Sequence, residues 1–133
     1  MKRLRIALAL VALAAPAAAQ DTKPATFTQA QADQGADIYR DHCALCHGAG
    51  LANAEFAPAL NGARFKRKWG GQRAAGLFVY ITAAMPPGQT GVLSHDDYAS
   101  VMAYLIAANG GAAGPTPLPA DLHSLSALVL PGG

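Results

Sequence analysis

Cys43-Ala44-Leu45-Cys46-His47 decides how the rest of the 133-residue chain is read. Two thiols three positions apart fall on one helical turn and point the same way. Each can bond covalently to one vinyl-derived carbon of a haem, and an imidazole directly behind them sits under the iron as proximal ligand. Two other chemistries use a C-x-x-C pair: a thioredoxin-like redox couple and half of a zinc cage. The chain holds only two cysteines, so no second pair completes a cage, and no strand–helix–strand pattern surrounds this one. Neither alternative gives His47 a role. The spacing predicts one covalently bound haem c, linked through Cys43 and Cys46 and ligated by His47.

Upstream, Met1-Lys2-Arg3-Leu4-Arg5 is a basic start and Ile6 to Ala15 an apolar run. Ala17-Ala18-Ala19 then supplies the small residues a signal peptidase requires. The run is well short of the roughly 20 residues a membrane span needs. A signal peptide is expected over residues 1–19, cleaved near Ala19, which leaves a soluble periplasmic protein with no membrane span. Lys2, Arg3 and Arg5 leave with it. The mature chain then has seven cationic against eight acidic residues, about −1 in place of +2. Nucleic-acid binding has no overall electrostatic support. No cysteine remains for a disulfide, and in so small a domain a covalent haem would act as the staple.

Between the signal and the motif, Asp21 to Ala25 reads as a loose polar leader. Thr28 can cap a helix running to about His42, with Gln31 three positions on as in a capping box. Gly35 and Tyr39 share a face of it. A mid-helix glycine costs about 1 kcal/mol against alanine, and close approach of another helix would be the reason to keep one.

Downstream, Gly48 to Phe56 reads as a loop leading into Ala57-Pro58-Ala59-Leu60-Asn61-Gly62. The Pro58 carbonyl can accept the second ring N–H of His47, fixing the ring and raising its basicity, although an ordinary turn reads the same way. Trp69, the only tryptophan, either packs in the core or offers its indole N–H to a haem propionate. Ala74 to Ala84 reads as a short helix with Leu77, Phe78 and Ile81 on one face, stopped by Met85-Pro86-Pro87-Gly88.

A thioether is a soft ligand suited to haem iron, and a Met/His pair makes a high-potential electron-transfer centre. Met102 lies in the apolar stripe Tyr98, Val101, Met102, Leu105, Ile106 and is expected in the core. Met85, before two prolines at a helix end, is expected as the sixth ligand; His95 and His123 are weaker rivals. The last clear helix starts at Ser94, carries Asp96 and Asp97 in its first turn, and ends at Asn109-Gly110-Gly111. Beyond it, a Pro/Gly-punctuated stretch with Leu118, Leu122, Leu125 and Leu128 reads either as a packed strap or as a disordered tail.

Taken in order, Gly35-x-x-x-Tyr39, Cys43-x-x-Cys46-His47, Pro58-x-Leu60-x-Gly62, Trp69, Met85-Pro86 and Val101-x-x-Tyr104-Leu105 resemble a class I cytochrome c over roughly residues 28–109. The resemblance implies an all-α fold, helices wrapped around one covalently bound haem, with Gly35 and Tyr39 meeting Val101 and Tyr104. It implies Cys43 and Cys46 as thioether links, His47 and Met85 as axial ligands, and Pro58, Leu60 and Trp69 as haem environment. More narrowly, Met85-Pro86-Pro87-Gly88-Gln89 through Leu93-Ser94, Tyr104-Leu105, Ala108-Asn109-Gly110 and Leu118-Pro119-Ala120-Asp121 are similar to the cytochrome c domain of quinohaemoprotein alcohol dehydrogenases.

The expected organisation is a signal peptide (1–19), a leader (20–27), a cytochrome c domain (28–110) and a Pro/Gly-rich C-terminal tail (111–133). The expected function is one-electron carriage, without enzymatic turnover, between redox protein partners. The donor would be a dehydrogenase, of the quinoprotein alcohol dehydrogenase kind by the narrower resemblance, and the acceptor a protein such as a terminal oxidase. The runner-up is a tightly bound haem c subunit of a dehydrogenase complex. Arg64, Lys66, Arg67, Lys68 and Arg73 are five of the seven mature cations, with no acidic residue between Glu55 and Asp96. Such a run is either a solvated face or a docking face for an acidic redox partner.

Overall fold

The computed structural model describes residues 21–52 and 56–132; the expected signal peptide lies outside them. The helices are α1 (Gln29–His42), α2 (Ala44–His47), α3 (Gly62–Trp69), α4 (Ala74–Ala84), α5 (His95–Ala108) and α6 (Leu122–Ser126). Two short strands, β1 (Lys23–Pro24) and β2 (Leu128–Val129), join the two ends of the chain in parallel. The architecture is all-α, as the sequence implies. No helix among the described residues is long and apolar enough to cross a membrane.

The principal packing is the crossing of α1 and α5. Helix α1 starts where Thr28 accepts a hydrogen bond from the Gln31 N–H. α5 starts with a complete capping box between Ser94 and Asp97, which satisfies otherwise orphaned donors at its first turn. Along α5, Tyr98, Val101, Met102, Leu105 and Ile106 are all buried, and Met102 is fully enclosed. Gly35 lies against the α5 backbone, where a β-carbon would overlap the Ser100 carbonyl. Tyr39 stacks obliquely on Tyr104, with ring centroids 5.4 Å apart. The pairs implied by the family resemblance therefore do meet.

This contact predicts the cost of filling it. Gly35→Ala gains helix propensity, but the new methyl must push the helices apart against backbone that cannot rotate away. Overpacking of this kind costs typically 1–3 kcal/mol, and more where backbone is the obstacle. The variant should melt roughly 10 °C or more below the wild type. A melting point equal to or above wild type would show that the crossing is looser than the structure has it.

Two expectations need correction, and one helix had no sequence expectation. Gln31 does not close a capping box: its side chain reaches Leu118, donating to the carbonyl at 2.9 Å and accepting from the N–H at 2.7 Å. The segment read as a loose leader is anchored at its end: Ala25 and Phe27 are buried and Lys23–Pro24 pair with Leu128–Val129, while Asp21 to Pro24 stay exposed. Residues 64–69 belong to a helix, α3, which buries Phe65 and turns Arg64, Arg67 and Lys68 to solvent.

Beyond α5 the chain runs back over the body as a strap. Leu118, Leu125 and Leu130 are buried, whereas Leu122 faces water. Asp121 caps α6 by accepting from the Ser124 N–H, and that bond holds its carboxyl below the usual range. α6 packs on α4. The ends are sewn together by Lys23 N–H to Ala127 O, Ala25 N–H to Val129 O and Gly114 N–H to Phe27 O, at 2.8–3.0 Å.

Candidate haem site

The end of α1 delivers the thiols. Cys43 closes α1, its N–H donating to the Tyr39 carbonyl, and at once begins α2, which carries Cys46 and His47. The N–H groups of Cys46 and His47 both turn back to the Cys43 carbonyl, at 3.2 and 3.0 Å. One tight turn thus holds both sulfurs and the imidazole. Neither cysteine is in a disulfide; Cys43 is half-buried and Cys46 exposed. Burial, with Cys46 beside it, pushes the Cys43 thiol up to about 11. It therefore keeps its proton at neutral pH.

His47 is buried, 8% exposed, and its Nδ1 lies 2.8 Å from the Pro58 carbonyl oxygen. A carbonyl only accepts, so the proton sits on Nδ1 and the Nε2 lone pair is left for a metal. The loop between them is tied at several points. Gly48, at φ 79° in the left-handed region, turns the chain out of α2, and its carbonyl accepts the Tyr39 hydroxyl at 2.6 Å. Desolvation and the neighbouring Cys43 push that hydroxyl up to about 12, so it remains a donor. Leu51 is buried and adopts φ 63°, unusual without a glycine, and its carbonyl accepts from the Leu60 N–H at 2.8 Å. Asn109, buried at the end of α5, donates to the carbonyls of Leu60 and Leu105, both at 2.9 Å. The loop bearing Pro58 is thus fastened to α2 at one end and α5 at the other.

Met85 caps α4, its N–H donating to the Ile81 carbonyl at 3.0 Å. It is half-buried and packs against the core. Its carbonyl accepts the Tyr98 hydroxyl at 2.6 Å. Of its rivals, Met102 fills the core, His95 sets its ring edge-on to Phe78, and His123 is exposed on α6. Leu60 is half-buried against the core. Trp69 is half-buried too, 5.5 Å from the Tyr80 ring, with the Lys68 ammonium over both rings at 4.9 and 4.5 Å. That is the packing half of the expectation for Trp69.

The donor chemistry fits a c-type haem. Two free thiols share a turn with an imidazole already in the metal-binding tautomer, and a thioether sits on a separate strap. No cluster of three or more His, Cys, Asp or Glu that could hold a bare metal ion occurs among the described residues.

Two contributors escaped the sequence reading. Tyr98 was assigned only to the apolar stripe of α5, and Asn109 only to its end. A signal existed for each. A tyrosine on a buried face needs a partner for its hydroxyl, and a buried asparagine needs partners for its amide.

Comparison with known proteins agrees with this reading. The family model described as cytochrome c oxidase, cbb3-type, subunit III matches residues 30–105, from the first turn of α1 to near the end of α5. No curated protein and no solved structure gives a significant match.

Proposed function

Since the chain belongs to the cbb3-type cytochrome c oxidase subunit III family of haem-containing electron-transfer domains, we propose that it is an exported, periplasmic monohaem cytochrome c that carries single electrons between protein partners. The observation that carries the proposal is the Nδ1 contact from His47 to the Pro58 carbonyl beside Cys43 and Cys46. A bound haem supplies one iron that passes between the ferric and ferrous states.

The chain's own residues do the rest. Cys43 and Cys46 would hold the macrocycle covalently. Pro58 fixes the imidazole ring and makes it a stronger donor to iron. Met85 would supply a second ligand, a neutral thioether, which would favour the ferrous state. Leu60 and Trp69 would form part of the haem surroundings. The donor would be a dehydrogenase, of the quinoprotein alcohol-oxidising kind by the narrower resemblance, and the acceptor a protein such as a terminal oxidase.

A second reading, a haem subunit permanently docked in an enzyme complex, is favoured by the family's description, which names an oxidase subunit. Salt dependence separates the two. Arg64 and Arg67 are exposed on α3, whereas Lys68 is engaged with Trp69 and Tyr80. On a chain of small net charge this basic face would steer an acidic partner. Steering raises encounter rates by roughly tenfold or more at low salt, and fades as the Debye length shrinks to about 8 Å. Electron transfer to the partner should slow as salt rises, and Arg64→Glu/Arg67→Glu should be slow already at low salt. A wild-type rate that is flat with salt would contradict the mobile carrier and favour the docked subunit.

A further inference from the structure

We infer that Tyr98 is the positioning residue of the Met85 strap, its hydroxyl setting where the thioether can stand relative to the haem-bearing turn. The inference rests on the reading of Met85 as the sixth ligand. Met85 lies where α4 gives way to a turn, a place where helix ends ordinarily fray. Here its backbone is gripped on both sides. Its N–H is held by Ile81 at 3.0 Å and its carbonyl by the Tyr98 hydroxyl at 2.6 Å. Beyond it the chain turns at once, with Gln89 N–H donating to the Pro86 carbonyl.

The anchor itself is rigid. Tyr98 is 3% exposed and belongs to the first turn and a half of α5, which the Ser94/Asp97 capping box fixes. Two residues on, Ser100 meets Gly35 of α1, and α1 runs on to Cys43. A short route of packed backbone therefore joins the two halves of the site: Cys43, α1, the Gly35–Ser100 contact, Tyr98, Met85. Of these links only the Tyr98 hydroxyl is a single side-chain hydrogen bond, so it is the one that a small substitution can cut.

The physical consequence is a change in population. With the hydroxyl gone, the Met85 carbonyl loses its protein partner and the strap samples positions with the thioether off the iron. Loss of one ordinary hydrogen bond changes such an equilibrium by roughly threefold to tenfold. An added ligand that needs the open position binds in proportion to the fraction that is open.

The test uses exported, haem-loaded full-length protein and imidazole as the competing ligand of the oxidised form. Tyr98→Phe keeps the ring and its packing. It should bind imidazole about threefold to tenfold more tightly than wild type and weaken the red-edge sulfur–iron band. Leu118→Ala supplies the stability control. It empties a buried position beside Gln31 and should lower the melting point without moving imidazole affinity. Unchanged imidazole affinity in Tyr98→Phe, with the band lost in Met85→Ala, overturns the inference and leaves the ligand intact. A band that survives Met85→Ala overturns the ligand reading instead. An affinity gain in Leu118→Ala as large as in Tyr98→Phe overturns the positioning role, because general loosening would then explain both.

Discussion

Exported protein in which Cys43 and Cys46 are both replaced by alanine should carry no haem through denaturing electrophoresis, whereas wild type should carry one per chain. The effect is all-or-none because these are the only two cysteines in the sequence and no other side chain can form a thioether link to haem. With His47 alone, any haem is held by coordination and packing, and unfolding releases it. The same change should cost stability in the native state. A haem held covalently on α2 would give the surrounding elements a large apolar surface to pack on, in a chain whose two cysteines form no disulfide.

Met85→Ala carries the second large effect. The oxidised protein should lose the weak sulfur–iron band altogether, its reduction potential should fall, and the reduced form should bind carbon monoxide. The sign of the potential follows from the ligand: a neutral thioether favours the ferrous state, so its removal favours the ferric one. Met102→Leu is the matched control. Met102 is wholly enclosed in the core, and a volume-conserving swap there costs less than about 1.5 kcal/mol. It should leave band, potential and carbon monoxide binding as they are. The opposite pattern would transfer the ligand role from Met85 to Met102.

The parts of this protein that local chemistry specifies were legible in its sequence. Thr28 and Ser94 cap the helices they were read to cap, and the Met85-Pro86-Pro87 stop ends α4 where it was placed. A helix cap or a proline acts within one turn, so its meaning travels with the residue. The His47–Pro58 contact was readable for a different reason: the haem motif supplies a ring N–H in need of an acceptor, and the nearby proline offers one.

What stayed hidden depends on distant partners. Gln31 has the right spacing for a capping box, yet Leu118, 87 residues away, offers its side chain two backbone bonds instead of one. The β1–β2 pair is two residues long on each side and joins opposite ends of the chain, so no alternation is long enough to show it. Helix α3 was missed because its only buried residue is Phe65, and one apolar position establishes no period. In the site, Tyr98 and Asn109 act through single polar atoms on faces that otherwise read as core and cap.

The central claim is that Cys43 and Cys46 hold one haem by covalent bonds, and the most direct measurement is made on the unmodified protein. Wild-type chain exported in its natural manner is treated with acidified acetone and weighed intact. The account predicts a coloured polypeptide whose mass exceeds that of the processed chain by one haem. Colour passing into the acetone, and a mass equal to that of the bare polypeptide, would contradict it.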